Sequence, residues 1–121
     1  MNTPSIAIQT LPRACNEALI LAALSGEPRH GYQIVLDIEA RSGGAFRFKH
    51  GTLYPILHRL EKEALIEGAW SDEGPRGKRK AYQLTEDGKA YCAAQRAGLE
   101  ALFGNLFEAL TPRTDDDEVT S

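Results

Sequence analysis

The run Gly51-Thr-Leu-Tyr-Pro-Ile-Leu-His-Arg-Leu-Glu61 has the periodicity of a helix that is apolar on one side only. At 100° per residue Leu53, Ile56, Leu57 and Leu60 converge on one face, the side that anchors the helix to a core. Tyr54, Pro55, His58 and Lys62 occupy the opposite face, with Thr52 and Arg59 at its edge. This predicts a helix over Gly51–Glu63, with Pro55 in a first turn whose N–H groups lack partners. The outward face carries a phenol, an imidazole and cations, with Glu61 just beside Tyr54. Such groups offer donors to base edges and positive charge to flanking phosphates. On its own the face is equally that of an ordinary solvated helix.

The surroundings shift that balance. Upstream, a helix is predicted over Arg13–Leu24, stopped by Ser25-Gly26 with Pro28 beyond it, and a second over Gly31–Arg41. Its expected buried stripe is Tyr32, Val35, Leu36 and Ile38. The stretch Ala18–Leu24 is apolar all round, so it needs cover on more than one side, and in a chain this small the second cover is expected to be a partner subunit. Downstream, strand-like runs at Leu65–Trp70 and Lys80–Leu84 flank the polar, glycine-rich Ser71–Arg79, which predicts a hairpin with a long basic tip. In the first strand Ile66 and Trp70 share a face; in the second Tyr82 and Leu84 do. The order helix, helix, helix, hairpin is that of a helix-turn-helix with a wing.

A last helix is expected from Thr85, a capping hydroxyl followed by Glu86 and Asp87 at the positive end of the dipole. Its apolar residues Leu99, Leu102, Phe103, Leu106, Phe107 and Leu110 lie within an arc of about 140°. The stripe either folds back on its own domain or pairs with another chain; pairing is favoured because the first helix also seeks cover. With Leu21, these six residues form the expected dimer interface. The chain thus divides into an arm (1–12), a winged-helix domain (13–84), a dimerisation helix (85–110) and an acidic tail (111–121) expected to be disordered. The fold class is mainly α with a small β-hairpin.

Charge follows the same division. The formal net charge is −3. Between Arg41 and Tyr82, however, nine basic residues face five acidic ones, and between Glu108 and Ser121 five acids face one base. The local field decides where a polyanion docks. Residues Lys49, Thr52, Tyr54, His58, Arg59, Lys62, Arg76, Lys78, Arg79 and Lys80 are therefore the expected DNA contacts.

Other classes find less support. Cys15 and Cys92 belong to no CxxC motif and make no metal-ligand pattern with His30, His50 or His58, so they read as small buried hydrophobes and no metal or cofactor is expected. No nucleophile, base and orienter come together, which argues against an enzyme. No apolar run approaches the roughly 20 residues that span a bilayer. The first residues lack a basic segment followed by an apolar one, so a cytoplasmic protein is expected.

Three segments resemble the PadR family of transcriptional regulators. Gly51–Glu61 is similar to that family's recognition-helix signature, and His30-Gly-Tyr-Gln-Ile34 to the start of its second helix. Lys78-Arg-Lys-Ala-Tyr-Gln-Leu-Thr85 with Gly88 is similar to its return strand and turn into the last helix. The resemblance covers about Leu19 to Gly88. It implies a winged helix-turn-helix, a homodimer built through N- and C-terminal helices, a pseudo-palindromic operator in duplex DNA, and repression relieved by a small aromatic or hydrophobic effector. It supports Tyr54, His58, Arg59 and Lys62 as groove or backbone contacts. The single short C-terminal helix is like that of the family's smaller subgroup. Some members of that subgroup sandwich flat aromatic ligands with a tryptophan of this helix; here it has Phe103 and Phe107, while Trp70 lies on the wing. A protein-interaction adaptor that reuses the winged helix is the rival reading, and salt-steep duplex binding separates the two.

Overall fold

The computed structural model describes residues 12–71 and 79–113. Four helices and three short strands follow in the order α1 (Arg13–Ala23), β1 (Arg29–His30), α2 (Gly31–Arg41), α3 (His50–Lys62), β2 (Ile66–Ser71), β3 (Arg79–Leu84) and α4 (Glu86–Leu110). The strands form one antiparallel sheet in the order β1-β3-β2. Residues 1–11 of the expected arm, 72–78 of the expected wing tip (with Arg76 and Lys78) and 114–121 of the expected acidic tail lie outside the described residues.

Apolar periodicity builds the core. Ile20, Leu21 and Leu24 of α1, Ile34 and Ile38 of α2, and Leu53, Leu57 and Leu60 of α3 close around Phe48, Ile66, Tyr82 and Leu84. Leu21 is wholly enclosed by its own chain. It presents no surface to a partner, which corrects its placement in the dimer interface. The second cover that α1 needs comes in part from α4, which packs along it.

The phase of α2 also differs from expectation. Tyr32 and Leu36 are 57% and 45% exposed, and Ile34 and Ile38 are the buried pair. Position 32 lies about 160° from position 34 on a helix, so the two pairs face opposite ways and the core takes the pair flanked by half-buried Val35. Pro55 is corrected as well. Because α3 begins at His50, Pro55 stands in its second turn and forgoes a bond to the Gly51 carbonyl. Strand β1 was not expected: two residues after Pro28 carry no alternation, and only pairing of Arg29 with Tyr82 and His30 with Ala81 defines it.

The junctions around α3 and α4 fix the wing. After α3 the chain turns through Ala64 at φ 61°, a left-handed position normally given to glycine, with Leu65 N–H donating to the Leu60 carbonyl at 3.0 Å. The β2–β3 register pairs Ile66 with Leu84, Gly68 with Tyr82 and Trp70 with Lys80. Thr85 then caps α4 as its sequence predicts, accepting from Gly88 N–H at 2.9 Å. Its hydroxyl also donates to the Ala64 carbonyl at 2.8 Å. Gly88 sits against the Leu65 carbonyl so closely that any Cβ there would overlap it. With the Thr85 N–H donating to that same carbonyl at 3.1 Å, three connections tie the start of α4 to the turn after α3.

Candidate nucleic-acid interface

The Leu53–Leu60 side of α3 is fixed in the core, so the orientation of its other side is determined. Lys49, Thr52, Tyr54, His58 and Lys62 are all exposed. His50, at the helix start, stacks on Tyr54 with ring centroids 5.7 Å apart. The Tyr54 ring packs on Gly31, where a Cβ would collide with its hydroxyl end. That contact ties the outward face of α3 to the first turn of α2. Arg79, at the start of the return strand, is exposed as well.

Two of the ten expected contacts are turned inward. Arg59 donates from its guanidinium to Glu17 Oε1 of α1 at 2.9 Å. Glu17 is a nearly buried carboxylate, its side chain 8% exposed, and Arg59 is 28% exposed. The same carboxylate accepts from Arg13 Nε at 3.1 Å and, through Oε2, from the Tyr91 hydroxyl of α4 at 3.4 Å. Burial, and then the charge of Glu17, push the Tyr91 phenol above its ordinary pKa, so it remains a donor. One acid thus joins α1, α3 and α4. Arg59 serves that junction, which corrects its assignment to the outward face.

Lys80 is the second. Its ammonium donates to Glu61 Oε1 at 2.9 Å. It lies 5.6 Å from the Trp70 ring centroid and 5.3 Å from that of Tyr82. The Glu61 hydrogen bond is the main cause of a Lys80 pKa above its ordinary value, so the group stays charged. Strand β3 is fastened to α3 by this pair, and Lys80 is not a free wing cation. Its backbone carbonyl meets His30 Nδ1 at 3.1 Å.

Sequence reasoning missed a group of exposed aromatics on the same side. Tyr32, Tyr54 and Trp70 border a cleft of about 430 Å³ whose other walls include His30, Arg79 and Tyr82. Trp70 is 65% exposed although it shares a face with buried Ile66. Strand alternation sets the face, but the core ends before the tip is reached. The available signal was the placement of the chain's one tryptophan in a strand beyond the last core residue.

A second concavity, about 420 Å³, lies between α1 and α4, walled by Ala18, Leu19, Ala22, Phe46, Leu99 and Phe103. Cys15 and Cys92 also line it; burial raises both thiol pKa values, in keeping with small apolar groups. Beyond the groove Leu102, Leu106, Phe107 and Leu110 of α4 stand exposed, and Phe103 stacks on Phe107 at 6.2 Å. Among the described residues no three His, Cys, Asp or Glu side chains come together as a metal site. No described helix is long and apolar enough to cross a membrane.

Residues 20–94 match the transcriptional regulator PadR-like family, well over half of the chain. The chain belongs to the PadR-like family. A transcriptional regulator of Mycobacterium tuberculosis is 33% identical over 90 residues, spanning 74% of this chain and 80% of that one. Among solved structures, a PadR family transcriptional regulator from Eggerthella lenta superposes with a TM-score of 0.72 at 28% identity, covering 84% of this chain and 86% of its own. Bacillus subtilis PadR, solved in complex with operator DNA, matches with a TM-score of 0.60 at 28% identity. That match covers 66% of this chain and 46% of PadR. The described residues of the three segments that resemble PadR proteins fall on the end of β1 with α2, on α3, and on β3 with the start of α4. The fold is a PadR winged helix.

Proposed function

We propose that this PadR-like protein is a sequence-specific duplex-DNA-binding regulator that acts as a homodimeric repressor. The observation that carries the reading is the division of α3: four leucine and isoleucine side chains seated in the core, and Thr52, Tyr54, His58 and Lys62 exposed on the other side. A helix held this way enters a major groove with its polar face toward base edges. Lys49 and Arg79, with Arg76 and Lys78 of the wing tip, supply phosphate contacts that set register without reading sequence. A cytoplasmic location follows from this role.

The exposed Leu102, Leu106, Phe107 and Leu110 of α4 favour a second copy of the chain as their cover. Two α3 helices related by a two-fold axis read half-sites about one helical turn, or a multiple of it, apart. The α1–α4 groove suits a compact hydrophobic effector that releases the operator. Its walls carry phenylalanine and no tryptophan, so a flat aromatic sandwich is not the expected mode. Selection of bound duplexes from a random pool, followed by gel shifts with and without hydrophobic ligands, tests the whole reading. Enrichment of a pseudo-palindrome supports it. Absence of salt-steep binding to any duplex favours the protein-interaction adaptor instead.

A further inference from the structure

Three exposed aromatic rings meet in one cleft on the α3 side of the molecule, and α3 itself accounts for only one of them. Tyr32 comes from the first turn of α2, Tyr54 from α3 and Trp70 from the wing strand β2. Rings this exposed are costly to leave in water and are enriched where partners bind. The cleft is also positive. Arg79 lines it, the Lys80 ammonium lies beneath Trp70, and the N-terminus of α2 opens beside it at His30 and Gly31. Among the described residues no carboxylate lines it. Glu61, the nearest acid named above, is occupied by Lys80 at 2.9 Å.

The cleft is rigid where it needs to be. Tyr54 is wedged on Gly31 and stacked on His50, and the Lys80–Glu61 pair fixes the strand that carries Trp70's cross-strand neighbour. An apolar wall beside a cationic one matches the two halves of a nucleotide backbone: a deoxyribose with its apolar C–H face, and a phosphate.

We propose that this cleft clasps one deoxyribose-phosphate step of the duplex. Trp70 and the Tyr32 ring pack on the sugar, and Arg79 with the Tyr32 hydroxyl takes the phosphate. The inference rests on the duplex-binding reading above and adds a backbone site made by α2 and β2 outside the recognition helix. It makes Trp70 an anchor that is indifferent to sequence. Contacts of this kind position a protein on DNA and leave base choice to others.

Trp70 is the only tryptophan of the chain, so its emission reports on the cleft directly. The probe is a fluorescein-labelled random-sequence 30-bp duplex at low salt, followed by anisotropy for binding and by Trp70 emission, with iodide quenching, for the cleft. Saturation with duplex is expected to change the emission and shield Trp70 from iodide. Trp70→Ala should lose about tenfold in affinity on every duplex while the slope of affinity against salt is kept. Arg79→Ala should flatten that slope by about one unit. Thermal unfolding of each variant, and Trp70→Phe as a milder change, separate loss of contact from loss of fold. The clasp is overturned if anisotropy shows binding while Trp70 emission and quenching stay as in the free protein. It is equally overturned if folded Trp70→Ala binds like the parent, or if a small aromatic shields Trp70 and duplex does not. No salt-steep binding by the parent protein refutes the duplex reading itself, a different result.

Discussion

Replacing Glu17 by glutamine keeps the size of the side chain and removes the charge on which three elements converge. In the native chain the carboxylate accepts from Arg59 at 2.9 Å, from Arg13 at 3.1 Å and from the Tyr91 hydroxyl at 3.4 Å. The Arg13 bond belongs to a side chain 65% exposed and contributes little. The Tyr91 bond is long. The Arg59 bond is the strong one, charge-assisted and between groups that are 28% and 8% exposed. Leaving one member of a buried pair without its partner costs about 3–5 kcal/mol, and a charged hydrogen bond exceeds a neutral one by about 1–1.5 kcal/mol. Glutamine can still accept one bond and Arg59 reaches some water, so the expected loss is about 2 kcal/mol. For a domain of this size that lowers the melting temperature by roughly 8–15 °C. Thermal unfolding of Glu17→Gln, Arg59→Gln and the double variant gives the coupling between them, expected to be at least 1 kcal/mol. DNA titrations on the same proteins supply the second readout. Because Arg59 faces α1, Arg59→Gln should leave the salt slope unchanged. A slope flatter by about one unit, with stability unaltered, would show a phosphate contact and refute the inward assignment.

Four further outcomes follow from the geometry. Gly88→Ala should be among the most damaging small substitutions, costing about 3 kcal/mol or more, because its methyl meets the Leu65 carbonyl; chemical denaturation measures it. Ala64→Gly should stabilise the same region by about 0.5–1 kcal/mol, since Ala64 holds φ at 61°. Charged replacements at Leu102 and Leu106 should yield folded monomers in sedimentation and abolish operator binding with them; a monomer that binds tightly would sever that link. The raised Lys80 pKa means its pairing with Glu61 is fully present at neutral pH and is lost only in alkali, as the pH rises through a value above the ordinary lysine range. Lys80→Met should therefore lower thermal stability at pH 7, and the difference from the parent should narrow only as the pH rises beyond the ordinary lysine range.

The helices were legible because each buries a periodic set. Leu53, Ile56, Leu57 and Leu60 fix α3, and Thr85 with Glu86 and Asp87 fixes the start of α4. Ile38 was legible as buried, but periodicity alone could not choose Ile34 over Tyr32 and Leu36, since only the surrounding elements determine which face is covered. The destinations of charges were less legible still. Arg59 finds Glu17 across 42 residues and Lys80 finds Glu61 across 19, and nothing local distinguishes these cations from Lys62 or Arg79. A basic side chain next to a recognition helix is as readily a strut as a contact. Strand β1 and the aromatic cleft arise only once α2 and the wing are brought side by side.

The tie between the turn after α3 and the first turn of α4 has a geometric consequence. Thr85 and Gly88 leave little play there, so α4, about 37 Å long, is a rigid lever whose far end reports the angular setting of α3. In a dimer joined through that far end, the two recognition helices are geared together like hands on a common axle. One residue inserted in α4 between Tyr91 and Leu102 would swing each winged domain about 100° around the seam and put both recognition helices out of phase with one face of the duplex. Seven residues would bring them nearly back into phase while setting them farther apart. In such a dimer the permitted separation of half-sites follows from the length of α4.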